Sequence, residues 1–67
     1  MKIPTTATLL LNKNCKYPID KIYFDTKQVT LRESKKVYNT VSIKNILFDF
    51  SEFSNAEIQE FQNAFNN

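Results

Sequence analysis

The sequence predicts an α+β fold: a small antiparallel sheet of four or five strands with one C-terminal helix packed on one face. Two observations predict it. Apolar and polar residues alternate in several short segments between residues 6 and 50, which is typical of half-buried strands. After residue 54 the apolar residues instead recur at helical spacing, behind a helix-start motif. We interpret residues 1–67 as a single compact domain.

The C-terminal helix is the most clearly marked element. Ser54 and Glu57 have the spacing of a capping box, in which each side chain accepts a hydrogen bond from the backbone N–H of the other residue. Ile58, Phe61 and Phe65 follow on one helical face, so we expect a helix over residues 55–66. A helix of this length is marginal alone, and it must therefore dock on an apolar surface.

Four strands are predicted from alternating segments, which are residues 21–25, 28–32, 40–43 and 46–50, and a further strand is predicted over residues 6–11. Residues 26–27 would join the second and third strands of the chain as a hairpin. A bulge or bend is expected at residues 44–45, where two alternations are out of phase. Residues 12–18 end in a proline and are expected to form a loop. The consecutive leucines of the first strand predict that it is buried on both faces or central in the sheet.

Glycine is absent from the chain. Backbone positions with positive φ must therefore use Asn or Asp, the next most tolerant residues, and the candidates are Asn12, Asn14, Asp25, Asn39 and Asn45. The same absence excludes a P-loop, a dinucleotide-binding fingerprint and a nucleophile elbow, because each of these motifs requires glycine.

A chain of 67 residues has a marginal hydrophobic core, and the usual covalent supports are missing. The single Cys15 cannot form an internal disulfide, and its role stays open. The chain has no His, so the common zinc ligand set is absent, and we expect neither a metal nor a cofactor. Six Phe and three Tyr supply apolar weight instead. Oligomerisation is the other remedy, so a homodimer is an alternative.

Catalysis is not expected. A Cys15 nucleophile would lack its usual His base. Paired carboxylates need an apolar cleft that drives their pKa values apart, and a short helix on a small sheet rarely leaves one. The one short apolar run, residues 9–11, is too brief for a secretory core or a membrane span. With a single cysteine, this favours a cytoplasmic protein without a membrane partner. The richness in Asn, Lys and Ile is typical of AT-rich genomes, such as those of some bacteria and phages.

Basic and acidic residues are segregated along the chain. Residues 1–45 hold all nine bases against three acids, giving a charge of +6, whereas residues 46–67 hold four acids and no base, giving −4. Such asymmetry indicates that the protein binds a partner, without naming it.

Strand alternation predicts one candidate binding face. The side chains expected to point towards the helix are those of Ile22, Phe24, Val29, Leu31, Val41 and Ile43. Those expected to point away, and therefore to form the candidate face, are Lys21, Tyr23, Thr30, Arg32, Tyr38, Ser42 and Lys44, with Thr40 among them. Lys and Arg around exposed Tyr rings resemble a platform for single-stranded nucleic acid. The alternative is an ordinary solvated face, since Thr and Tyr are good strand formers.

The function predicted first is a small non-enzymatic binding module that docks on a larger protein partner as a regulator or inhibitor. Nine aromatic residues exceed what one helix–sheet interface needs, and Phe53, Tyr17 and Leu10 are the candidates for an exposed apolar patch. An open antiparallel sheet also has two edges that can pair with a partner strand or a second copy. The alternative function is binding of single-stranded nucleic acid or DNA through the candidate face.

Overall fold

The computed structural model describes residues 1–66, which form five strands, one 3₁₀ turn and one α-helix. In chain order these are β1 (Thr6–Leu9), β2 (Asn12–Tyr23), β3 (Gln28–Arg32), β4 (Tyr38–Ser42), the 3₁₀ turn Ile43–Asn45, β5 (Ile46–Phe48) and α1 (Asn55–Asn63). The strand order is β4-β3-β2-β1-β5, and every neighbouring pair is antiparallel. The predicted α+β class, with an antiparallel sheet and a C-terminal helix, is confirmed.

The 12-residue β2 joins the two halves of the sheet. Its first part pairs with β1 as far as Pro18, and its second part pairs with β3 from Ile19 onward. The prediction of a loop over residues 12–18 is therefore wrong. Residues 12–16 are all exposed, so no apolar alternation marks them, although pairing with β1 holds the segment extended. The first part of β2 could not be predicted from the sequence, because its first five residues have no buried face.

The sheet is strongly curled, and the link between β4 and β5 shows why. These two strands lie at opposite ends of the strand order, yet only the three residues of the 3₁₀ turn join them. Four Cα–Cα steps span at most about 15 Å, whereas a flat sheet would separate the two strands by about 19 Å. The Leu10 N–H donates to the Asn45 carbonyl at 2.9 Å, which extends the β1–β5 pairing to this turn. The bend predicted at residues 44–45 is this turn.

The β2–β3 hairpin turn covers residues 24–27, so it is longer than the predicted two-residue connection. Within residues 1–66 positive φ occurs at Lys27 alone, at 59°, and at none of the five Asn and Asp candidates. Asp25 has another task in this turn, because its carboxylate accepts the Thr26 N–H at 2.9 Å. The left-handed position thus falls on the last residue of the turn, where a lysine side chain costs about 1–2 kcal/mol.

The main core lies under the curled sheet. Ala7, Val29, Leu31 and Ile46 are its buried residues. Partly buried side chains surround them: Leu9, Tyr17, Ile19, Ile22, Val41, Ile43 and Phe48. Five of the six side chains predicted to point towards the helix belong instead to this core of the sheet, whereas Phe24 lies outside it, with its ring 5.9 Å from that of Phe61 in α1. These residues pack chiefly on one another, because a curled sheet covers much of its own inner face.

A second cluster joins the helix to the sheet, and it contains all six phenylalanines. Phe61 of α1 lies 5.0 Å from Phe48, 5.8 Å from Phe50 and 5.9 Å from Phe24, measured between ring centroids. Phe48 also packs against the main core and therefore connects the two clusters. The helix is held mainly by aromatic contacts at the ends of β2 and β5.

The start of α1 is as predicted. The Ser54 hydroxyl accepts from the Glu57 N–H at 3.2 Å, and the Glu57 carboxylate accepts from the Ser54 N–H at 2.9 Å. The helix ends at Asn63, three residues earlier than expected. Residues 64–66 continue as a turn, in which the Phe65 N–H donates to the Gln62 carbonyl and the Phe65 ring remains buried.

Candidate functional site

The charge segregation of the sequence does not persist at the acidic end of the folded chain. The Lys16 ammonium lies 3.0 Å from the Asp49 carboxylate, and the Lys2 ammonium lies 3.9 Å from the Glu57 carboxylate. The amino group of Met1 lies 3.5 Å from Glu60. Three of the four acids after residue 45 are therefore paired with positive groups from the first sixteen residues. The acidic surface is neutralised within the molecule, which leaves little negative charge there for a basic partner.

Two of these carboxylates have structural hydrogen bonds as well. Asp49 accepts the Ser51 N–H at 3.0 Å, and this bond, with Lys16 beside it, holds the pKa of Asp49 well below its ordinary value. The hydrogen bond from the Ser54 N–H lowers the pKa of Glu57, and Lys2 adds to the effect. Asp49 therefore stabilises the end of the sheet, and Glu57 stabilises the start of the helix.

The basic end of the charge distribution remains unpaired. Within residues 1–66 no ion pair involves the remaining seven bases, which are Lys13, Lys21, Lys27, Arg32, Lys35, Lys36 and Lys44. All seven are exposed. They belong to β2, β3, the β2–β3 turn and the segments that flank β4. Six of these bases lie on the half of the sheet that contains β4, where they outnumber three acids (Asp20, Asp25 and Glu33), while Lys13 lies in the first part of β2, beside β1.

Seven residues of the candidate face lie on three adjacent strands. Lys21 and Tyr23 are on β2, while Lys21 aligns with Thr30 of β3, which in turn aligns with Thr40 of β4. Arg32 aligns with Tyr38, and Ser42 ends β4. Lys44 is separate, in the 3₁₀ turn. These residues are therefore neighbours across three strands.

Two of its members are poorly placed to contact a ligand. Thr30 is only 8% exposed, and its hydroxyl is hydrogen-bonded to that of Thr40 at 2.8 Å. The Lys21 ammonium lies 5.0 Å from the centroid of the half-buried Tyr23 ring, so a cation of the protein itself covers that ring. Tyr38, 52% exposed, is the ring left for stacking.

The predicted aromatic patch is mostly absent from the surface of residues 1–66. Phe53 is half-buried against Phe50, and the Lys2 ammonium lies 4.7 Å from its ring centroid. Tyr17 packs against the main core. Leu10, the third candidate, is 39% exposed, as expected. Because the phenylalanines pack between the helix and the sheet, the exposed large apolar residues are mostly aliphatic, with Tyr38 as the aromatic one.

The exposed apolar surface of most interest lies at the tip of the β1–β2 hairpin. Leu10 and Leu11 form the turn, and Leu11 is fully exposed. Beside them is a cavity of about 420 Å³, which we call the leucine groove. It is lined by Leu9, Leu10, Leu11, Asn39, Val41 and Asn45. Its volume falls in the range of binding pockets, and its walls come from the hairpin tip, β4 and the 3₁₀ turn.

The sequence did not reveal this groove, because the consecutive leucines predicted a strand over residues 6–11 that is buried on both faces or central in the sheet. β1 does lie between β2 and β5, but it ends at Leu9. Leu11 is not in a strand at all; it lies in the turn between β1 and β2. Only the pairing of β1 with residues 12–18 places a turn there, and those residues were predicted to be a loop. A single exposed leucine is common on protein surfaces, so the informative feature is that Leu10 and Leu11 are exposed side by side next to the leucine groove.

The described part of the chain has few features that would indicate a metal site, a disulfide or a membrane span. Within residues 1–66 no three His, Cys, Asp or Glu side chains are grouped so as to hold a metal ion. Cys15 is exposed in the first part of β2 and has no disulfide partner. No helix among these residues is long and apolar enough to cross a membrane. Comparisons with protein-family models, curated proteins and solved structures gave no match to this chain.

Proposed function

We propose that this chain is a small non-enzymatic binding module that docks on a larger protein partner through the leucine groove, as a regulator or inhibitor. The observation that carries the proposal is the fully exposed Leu11, next to the half-exposed Leu10 and an apolar cavity of about 420 Å³. An exposed apolar patch of this kind in a small soluble fold is typical of a protein interface. The reduced thiol expected for Cys15 is consistent with action in the cytosol.

The surroundings of the groove support a protein partner. Charged residues are absent from its lining, as is typical for the centre of an interface, while unpaired lysines such as Lys44 are close to it in the chain. The six phenylalanines form one internal cluster among themselves, so the exposed Leu10 and Leu11 are not needed to complete that cluster. Docking would bury them without disturbing the fold.

The test is an affinity capture from the native host with three versions of the protein: the wild type, Leu11→Asp and Leu47→Asp. Leu47 is a matched control, because it is a half-exposed leucine on β5 that does not line the groove. Each capture is run with and without nuclease. We expect a nuclease-resistant protein that the wild type and Leu47→Asp retain and Leu11→Asp loses. A partner retained equally by all three versions would contradict the proposal.

Binding of single-stranded nucleic acid or DNA through the candidate face is the second candidate. It is favoured by the exposed bases Lys21 and Arg32, and by the exposed ring of Tyr38 directly opposite Arg32. It is weakened by the cover that Lys21 provides for Tyr23, because a single free ring is a small stacking platform. Protein docking is therefore the function that the geometry favours.

The nucleic-acid candidate has its own test. Labelled single-stranded oligonucleotides and duplex DNA are titrated at about 50 mM salt, where phosphate contacts are strongest. Binding should weaken steeply as salt rises and should be abolished by the double variant Lys21→Glu with Arg32→Glu. Absence of binding at low salt removes this candidate and leaves the protein-docking proposal unchanged.

A further inference from the structure

The edge strand β4 has a free side, and the hydrogen-bond pattern shows which residues face it. The Ile43 N–H donates to the Lys27 carbonyl at 3.0 Å. At the other end of the ladder, the Glu33 N–H donates to the Val37 carbonyl at 2.8 Å. The odd-numbered residues of this segment therefore form the backbone hydrogen bonds to β3. Because such bonds alternate along an antiparallel pair, the even-numbered residues direct their N–H and C=O groups outward. The outward residues are Tyr38, Thr40 and Ser42.

This edge lacks the usual protection against strand pairing. Natural edge strands commonly carry a lysine, a proline or a bulge. From Tyr38 to Ser42 there is no charged residue and no proline, and the register with β3 is regular throughout. The charges stand just beyond its two ends instead. Lys35 and Lys36 precede the strand, Lys44 follows it, and none of the three forms an ion pair within residues 1–66.

The leucine groove lies along the inner side of the same edge. Asn39 and Val41 contribute to its lining, and both alternate with the outward-directed residues of β4. A strand added to this edge would direct every second side chain to the side on which Val41 lies. Those side chains would enter the leucine groove.

We propose that β4 accepts an extended segment of a partner protein as a sixth strand, and that this segment is apolar at alternate positions and acidic at both ends. The inference rests on the proposed docking function and specifies the partner's chemistry. Main-chain bonds to β4 would give the affinity, and the groove would select the apolar side chains. The lysines beyond both ends of β4 select acidic residues in either strand orientation, because the charge is positive at each end.

A second copy of this chain fits the edge poorly. If two β4 strands paired antiparallel, Lys35 and Lys36 of one copy would approach Lys44 of the other, and like charges would repel. The other edge strand, β5, has Lys44 shortly before it and Asp49, which is paired with Lys16, directly after it, so it is not acidic at both ends. The charges that attract an acidic segment therefore discourage self-association at the same edge.

The experiment uses synthetic nine-residue peptides and the isotope-labelled full chain. The first peptide has two acidic residues at each end of a Val-Thr-Val-Thr-Val centre, and the control has the same centre with two lysines at each end. We expect the acidic-ended peptide to slow hydrogen exchange at the amides of Tyr38, Thr40 and Ser42. The lysine-ended peptide should bind at least about tenfold more weakly, with the difference shrinking as salt rises.

A pair of variants at one position tests main-chain pairing. Ser42 has φ −69°, which proline adopts without strain, so Ser42→Pro removes one outward N–H while keeping the bonds to β3. Ser42→Ala is the matched control: like proline it lacks the hydroxyl that accepts the Lys44 N–H, but it retains its own N–H. Ser42→Pro should weaken the acidic-ended peptide about tenfold relative to Ser42→Ala.

Three results would overturn the inference: no binding of the acidic-ended peptide at about 1 mM, equal binding of the lysine-ended peptide, or equal affinities of Ser42→Pro and Ser42→Ala. These results are separable from a failure of the proposed function. If the peptide fails while a Leu11-dependent partner is captured, strand addition is refuted and docking stands. If the peptide binds as expected, strand addition is supported even where the capture finds no such partner.

Discussion

The substitution Phe61→Ala tests the link between helix and sheet. The Phe61 side chain is 0% exposed, and its ring lies between 5.0 and 5.9 Å from four other phenylalanine rings. Truncation removes the α1 ring that contacts both Phe48 at the end of β5 and Phe24 in the turn after β2. The neighbouring rings also contact one another, so they cannot easily collapse into the space that is left.

Truncation of a buried Phe to Ala costs about 3–5 kcal/mol, and a site that cannot collapse lies in the upper half of that range. We therefore expect a loss of about 4–5 kcal/mol in the free energy of unfolding. A domain of this length has a total stability of roughly 3–10 kcal/mol. Phe53→Ala is the matched control, because that ring is half-buried and lies at the margin of the cluster against Phe50. It should lose only about 1–2 kcal/mol.

The assay is urea unfolding, followed by circular dichroism and tyrosine fluorescence. Phe61→Leu supplies an intermediate point, and a stabilising osmolyte such as sucrose brings the alanine variant into the measurable range. If Phe61→Ala unfolds with the same free energy as Phe53→Ala, α1 is not held by the aromatic cluster, and the account of the fold is wrong.

Three further predictions concern local devices. Ser54→Ala should lower the free energy of unfolding by about 1 kcal/mol in urea unfolding, whereas Ser54→Asp should retain the cap. Lys27→Gly should raise the free energy of unfolding by about 0.5–1 kcal/mol. Glycine removes the cost of the positive φ, and the entropy that it adds to the unfolded chain offsets part of that gain. Because the folded pKa values of Asp49 and Glu57 are lowered, their contribution is complete above the unfolded pKa values of about 4 and is lost as pH falls through the folded ones. The free energy of unfolding, measured as the pH is lowered, should show this decline. The decline should be smaller in the variant Asp49→Asn.

The elements that the sequence predicted well have strong local causes. The capping box needs only two side chains three residues apart, so local spacing determined it. The strands around Val29 and Val41 each contribute alternate apolar side chains to the main core, and this contribution imposes alternation on the sequence. In both cases the information lies within a few residues of the feature.

The features that the sequence did not reveal depend on distant contacts. The first part of β2 is extended because β1 pairs with it, and nothing in its exposed residues marks a strand. The exposure of Leu11 follows from that same pairing, which places it in a hairpin turn. The pairing of Lys16 with Asp49 joins residues far apart in the chain, so the neutralisation of the acidic end was not predictable from charge order. The candidate face was located by strand alternation, but the burial of Thr30 depends on its neighbours across the sheet.

The most direct test of docking at the leucine groove and the β4 edge is residue-resolved hydrogen exchange of this chain, free and bound to its captured protein partner. The account predicts slower exchange at Tyr38, Thr40 and Ser42 and in the hairpin turn at Leu10 and Leu11, with α1 unchanged. Protection confined to β2 and β3, or to α1, would contradict it and would place the interface on another surface.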